Sequence, residues 1–302
     1  MSKTLVKKID IHVHTMDYGG IEVPRFDGSR YATPAEIIEI YDKIGVEKGV
    51  ILPEIFPECG WIMQSNEEAL RIAEKYKGHF EWFCDIDPRA LYNSPDSDLG
   101  YLIKYYKSLG AKGIGEVVIN EYADGPLMDN LFYHASKNKM SVTFHLATHR
   151  GGCYGLVEDH GLKRLEHMLK KYPDLVLLGH SQPFWAEIGA DCTDENRDYY
   201  PTGKVEEGNL VRLMREYPGL CGDLSAGSGF NAVSRDPEFG YRFIEEFKHK
   251  LYYGTDICDP RNINDPMLKL SHWLDEAYLN DKISEEAYLC VSRKNAEKLL
   301  GL

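Results

Sequence analysis

The stretch KIDIHVH, residues 8–14, sets two histidines one residue apart inside a β-branched, apolar run. In a strand, positions i and i+2 leave on the same side, so His12 and His14 are expected to face one direction. Seven more segments share this strand character: EKGVILPE (47–54), FEWFCDID (80–87), KGIGEVVI (112–119), MSVTFHLA (140–147), DLVLLGH (174–180), LCGDLSAG (220–227) and KLYYGTDI (250–257). Amphipathic segments lie between them. In TPAE (33–36) Thr33 can cap a helix, Pro34 suits its first position and Glu36 can bond back; SNEE (65–68) repeats the device with Ser65 and Glu68. Further helices are read at 127–138, 161–172, 206–217, 240–250 and in the C-terminal tract ending NAEKLLGL, where apolar residues recur three or four apart. Eight βα alternations over 302 residues predict an α/β fold, a (β/α)8 TIM barrel, with residues 1–302 forming a single domain.

Composition narrows the function classes. A hydrophobic content of 43% is that of a chain able to bury a large core. The formal charge of -13, without a Lys/Arg run, argues against nucleic acid as a partner. No apolar run reaches the length of a membrane span, and the opening residues lack an apolar leader core, so a cytoplasmic protein with no membrane partner is expected. The seven cysteines are scattered, with no CxxC pair, and are read as free thiols. A homodimer is expected only because symmetric dimers are the commonest assembly.

The ends of successive barrel strands ring one mouth, where active sites form. His145 near the end of the fifth segment, His180 ending the sixth and Asp256 ending YYGTD in the eighth would converge there with His12 and His14. Five residues of metal-binding type from four strand ends predict a metal site.

IDIHVH, FHLA, LGH and YGTD, in this order and at these intervals, resemble the His-x-His, the fifth- and sixth-strand histidines and the eighth-strand aspartate of the amidohydrolase superfamily. The ending KNAEKLLGL resembles the C-terminal helix of its amidohydrolase-related branch, amidohydrolase family 2. The resemblance spans essentially the whole chain and does not specify a substrate. It implies that His12, His14 and Asp256 hold a first ion, joined by His145 in one-metal members. Asp256 would take the proton from a metal-activated water. His180 would be a ligand or a hydrogen-bond donor to the hydroxide or developing oxyanion. Many superfamily members bridge two metals with a carboxylated lysine on the fourth strand, but Lys112 stands at the start of that segment, so no carbamate is expected. Glu116 resembles instead the fourth-strand glutamate of the superfamily's metal-dependent deoxyribonucleases. It can bridge a second ion held by His145 and His180, serve one ion, bond the substrate, or merely answer a nearby arginine or helix end.

Histidine and carboxylate ligands without thiolate suit Zn2+, with Mn2+, Fe2+ and Co2+ tolerated, in one or two ions. The leading expectation is a metal-dependent hydrolase acting on a small, anionic ester, lactone or amide. A nonoxidative decarboxylase or hydratase of the same branch is the alternative, and a phosphoesterase or a noncatalytic binder follows. His149 and Arg150, in the glycine-rich tract after the fifth segment, are candidates to grip an anion. Phe184 and Trp185 are candidates for an apolar wall, and Arg89 is either an anion contact or a loop brace. Glu54 and Asp223 are expected to orient the imidazoles. The irregular stretches at about 181–205 and 228–240 are expected to wall the site.

Overall fold

The computed structural model describes residues 3–17, 28–60 and 62–302. Eight parallel strands form the barrel: Lys8–Val13, Val46–Ile51, Phe80–Trp82, Ile114–Val117, Val142–Ala147, Leu177–His180, Leu220–Asp223 and Leu251–Tyr252. Strands one to three pair in sequence, as do strands four to eight. Two seams close the ring. Cys84 bridges to Ile114 between the third and fourth strands, and Val13 bridges to Ile257 between the first strand and the chain leaving the eighth. The predicted barrel is therefore present, with strands shorter than the sequence suggested at positions three and eight. A two-residue strand at Leu156–Val157 pairs with the end of the fifth strand and was not anticipated.

The first strand does not alternate along its whole length. Ile9 and Ile11 pack with Val50, Phe83, Leu178 and Cys221 in the barrel interior, while Asp10 Oδ2 accepts from Tyr41 on the flanking helix Pro34–Ile44 at 2.7 Å. A register irregularity between Asp10 and Val13 shifts the phase. Asp10 Oδ1 pins it by accepting from the His12 backbone N–H at 2.9 Å. His12 and His14 then face the interior together, and Val13 joins the apolar layer beneath the helices.

Helix Pro34–Ile44 forms as read: Thr33 and Glu36 complete the capping box, and Gly45, at φ 72°, closes the other end. At Asn66–Lys75 only half the device forms. Ser65 caps Glu68 N–H, but the Glu68 carboxylate turns to the Asp17 backbone at 3.1 Å. The tract 228–240 is not irregular but lies mostly within helices Ala226–Ser234 and Pro237–Phe247. The C-terminal helix places Ala296 and Leu300 against Ile9 and Val50, closing the barrel end opposite the histidines. No helix among the described residues is long and apolar enough to cross a membrane.

Candidate metal centre

Register brings the site together. His145 pairs directly with His180 across the fifth and sixth strands, and Asp256 N–H donates to His12 O at 2.8 Å across the closing seam. Three residues at or just beyond strand ends hold left-handed backbone without being glycine: Ser181 (φ 101°), Ala226 (φ 59°) and Asp256 (φ 59°). Strain of this kind persists where surrounding contacts over-determine it, and it concentrates at functional sites.

His12 and His14 bring their Nε2 atoms to 2.9 Å from each other. On the far side of each ring, Nδ1 meets an acceptor: Asp223 Oδ2 at 2.6 Å for His12, and the Leu52 carbonyl at 2.9 Å for His14, with Glu54 Oε1 at 3.4 Å. Each Nδ1–H therefore donates outward, which turns both Nε2 atoms toward one shared space, as two ligands of a single cation would be. Glu116 Oε2 lies 3.4 and 3.6 Å from those Nε2 atoms, and Asp256 Oδ1 lies 3.6 and 3.4 Å away. At the other end of its carboxylate, Glu116 Oε1 is 3.1 Å from His145 Nδ1 and 3.9 Å from His180 Nε2. Glu116 thus spans two poles of one cluster.

The electrostatics call for positive charge. Burial by itself would lower the His12 pKa, but Glu116, Asp223 and Asp256 outweigh it and push it up to about 10; His14 is raised the same way by Glu54, Asp256 and Glu116 against burial. Burial would raise Glu116 and Asp256, yet His12 and its neighbours hold both carboxyls below their ordinary range. His180 goes the other way, lowered by burial and by the charge on His12. A buried group of imidazoles inside a ring of carboxylates, with Nε2 atoms converging, fits a divalent cation. His12, His14 and Glu116 form one candidate ligand set, and Glu116, His145 and His180 another.

A cavity of about 570 Å³ opens beside His145, lined among others by Glu58, Thr148, His149, Tyr154, Gln182 and Asp198. His149 is among the residues that line it. Arg150 does not serve it: its guanidinium is bound by Glu121 and lies over the Tyr122 ring. Trp185 and Phe184 are not a substrate wall. Trp185 is buried and donates from Nε1 to the Asp223 carbonyl at 3.0 Å, and Phe184 packs edge-on against Phe144. The left-handed Ser181 turns the chain so that both rings point into the layer between strands and helices. Arg89 is a brace, held by Asp87 and Glu58. The stretch 181–205 includes the short helix Gln182–Ala186, and its Asp198 reaches the cavity. Asp223 and Glu54 do sit on the imidazoles, as their strand-end positions suggested.

Two participants escaped the reading of the sequence. Ser225 Oγ lies 2.8 Å from His180 Nδ1, and its only trace was the D-x-S spacing after the seventh strand. Tyr154 lays its ring on His145, centroids 4.7 Å apart, with its hydroxyl kept protonated by burial and the surrounding negative charge. Gly155 makes that seat: at φ 108°, a Cβ there would come within 2.9 Å of the Leu146 carbonyl carbon and 3.0 Å of His145 Cδ2.

No protein-family model and no curated protein matches the chain. Solved structures do share its fold. An uncharacterised TIM-barrel protein from Bordetella bronchiseptica superposes with a TM-score of 0.67 at 14% identity, covering 98% of this chain and 99% of the other. A probable 2-pyrone-4,6-dicarboxylic acid hydrolase from Acinetobacter baumannii, with citric acid bound, gives 0.60 at 13% identity over 98% and 100%. A dihydroxybenzoic acid decarboxylase from Polaromonas sp., with bound manganese and an inhibitor, gives 0.58 at 15% identity over 99% and 98%. The chain has the TIM-barrel fold of these proteins.

Proposed function

We propose that the protein is a metal-dependent hydrolase of the amidohydrolase type, acting on a small ester, lactone or amide. The observation that carries this reading is the convergence of His12 and His14 Nε2 with Glu116 and Asp256, each imidazole locked from behind by an acceptor on Nδ1. His12, His14, Glu116 and Asp256 would hold a divalent cation, with His145 and His180 at the second pole. When bound, such a cation lowers the pKa of a water and polarises a carbonyl. Asp256 is the general base: its side chain is 26% exposed and so open to substrate, yet its carboxyl is held ionised. His180, held neutral, is placed to steady the oxygen that gathers charge. Tyr154 and His149 line the path by which substrate enters.

Zinc suits the histidine-carboxylate set, and manganese in one similar structure marks the alternative. One observation favours a second reaction: several barrels of this fold are dihydroxybenzoate decarboxylases, in which a carboxylate substrate would lose CO2. A cytoplasmic setting suits a chain whose seven cysteines are scattered without a CxxC pair, and the proposed partners are a small molecule and a second copy of the chain. The test is metal content by elemental mass spectrometry on protein purified without chelator or nickel, followed by assays for ester, lactone and amide hydrolysis and for CO2 release. Bound metal that is lost in His12→Ala, together with hydrolysis, supports the reading. A metal-free wild type that rebinds neither Zn2+ nor Mn2+ overturns it, and CO2 release without hydrolysis moves the assignment to the decarboxylase.

A further inference from the structure

Ser225 Oγ stands between two imidazoles, 2.8 Å from His180 Nδ1 and 3.2 Å from His12 Nδ1. Its backbone N–H donates to Asp223 Oδ1 at 3.0 Å, so the same carboxylate that faces His12 also seats the serine. Ser225 is fully buried, and a buried hydroxyl that fails to donate forfeits much of what water gave it. Among the described residues its single proton has two ring nitrogens within reach. His12 Nδ1 cannot accept, because its own proton goes to Asp223 Oδ2 at 2.6 Å. His180 Nδ1 is left as the acceptor.

We propose that Ser225 is a positioning residue that sets the tautomer of His180, placing the imidazole proton on Nε2 and making His180 a hydrogen-bond donor rather than a metal ligand. That Nε2 lies 3.6 Å from Asp256 Oδ2 and 3.9 Å from Glu116 Oε1, beyond direct bonding to either. Among the described residues no hydrogen bond uses this donor, and it faces the gap where a substrate oxygen would gather charge. The inference rests on the metal-dependent reading and narrows it: the cation belongs to the pole of His12, His14, Glu116 and Asp256, and no ion needs His180. His145 differs because its Nδ1 faces a carboxylate, Glu116 Oε1 at 3.1 Å, instead of a hydroxyl that must donate.

The experiment is long-range proton–nitrogen NMR on 15N-histidine-labelled protein, metal-free and titrated with Zn2+, with the His180 signals identified by their loss in His180→Gln. The expected result is a protonated Nε2 and a bare Nδ1 in both forms, a mixed or reversed tautomer in Ser225→Ala, recovery in Ser225→Thr, and as many zinc ions per chain in His180→Gln as in wild type. A protonated Nδ1 in wild-type protein, or the loss of one zinc per chain in His180→Gln, would overturn it. Should Ser225→Ala not fold, the wild-type spectrum and the His180→Gln zinc count decide alone. Should zinc bind nowhere, the metal-dependent reading falls, while the metal-free spectrum still tests the tautomer.

Discussion

Asp223 touches no substrate, yet the hydrogen bond it accepts from His12 at 2.6 Å fixes which nitrogen of that ring faces the site. An outer carboxylate of this kind typically carries 10- to 100-fold in metal affinity. Asp223→Asn is therefore expected to weaken zinc binding by roughly that factor, read by competition against a chromogenic chelator, with the folded spectrum retained. Trp185 acts on the same residue from behind, through its bond to the Asp223 carbonyl. Trp185→Phe should lower the urea midpoint by the equivalent of about 1–2 kcal/mol, the cost of a buried carbonyl left without a donor. At this scale the sequence was legible where chemistry repeats by spacing: His12, His14, His145, His180 and Asp256 each stand at a strand end, and the structure brings them together. It was not legible where backbone direction decides. Trp185 follows His180 by five residues, and only the left-handed turn at Ser181 shows that its ring enters the core instead of the cavity. Ser225 has a meaning only through two imidazoles distant in sequence.

Helix Lys163–Lys171 begins without a side-chain cap of its own at Leu162; the preceding Glu158 supplies the acceptors instead. Its carboxylate accepts the backbone N–H groups of Asp159 at 2.9 Å, Arg164 at 2.9 Å and Leu165 at 2.7 Å. Burial nevertheless dominates those bonds and pushes the Glu158 pKa up to about 7. The folded state therefore favours the protonated carboxyl more than the unfolded chain does. The associated stability is present in full below the unfolded pKa of about 4.5 and is lost as pH rises through about 7. The difference is on the order of 3 kcal/mol. Denaturant unfolding between pH 4.5 and 8 should show this decline in wild type and a flatter profile in Glu158→Gln. Elements themselves were read well from caps and periodicity, as Thr33, Pro34 and Glu36 illustrate. The failures came where a local signal had competitors. Glu68 leaves its own helix for Asp17, and SGFNAVSRDPEFG, rich in small residues and interrupted by Pro237, reads as irregular in sequence although that proline suits the first turn of a helix.

Across the whole molecule, strands one to three and strands four to eight form two hydrogen-bonded sheets, joined where the third meets the fourth and where the chain after the eighth meets the first. The proposed ligands sit on both sides of these seams: His12 and His14 on the first sheet, Glu116 on the fourth strand, and Asp256 on the segment that donates its N–H to His12. A bound cation would tie the two sheets together, so metal binding is expected to stabilise the barrel unevenly. Mass action sets the total, about 2.7 kcal/mol at a free-metal concentration 100-fold above Kd, which for a chain of this size is on the order of 5 °C in Tm. His12→Ala should abolish that rise. The distribution is the sharper test. Hydrogen exchange should slow on metal addition at the closing-seam amides of Ile11, His14 and Asp256, and much less at those of Phe144 and Leu178 in the unbroken interior of the second sheet. Uniform protection of both groups would mean that the cation binds without bridging the seams, and protection confined to the second sheet would place it with His145 and His180 instead.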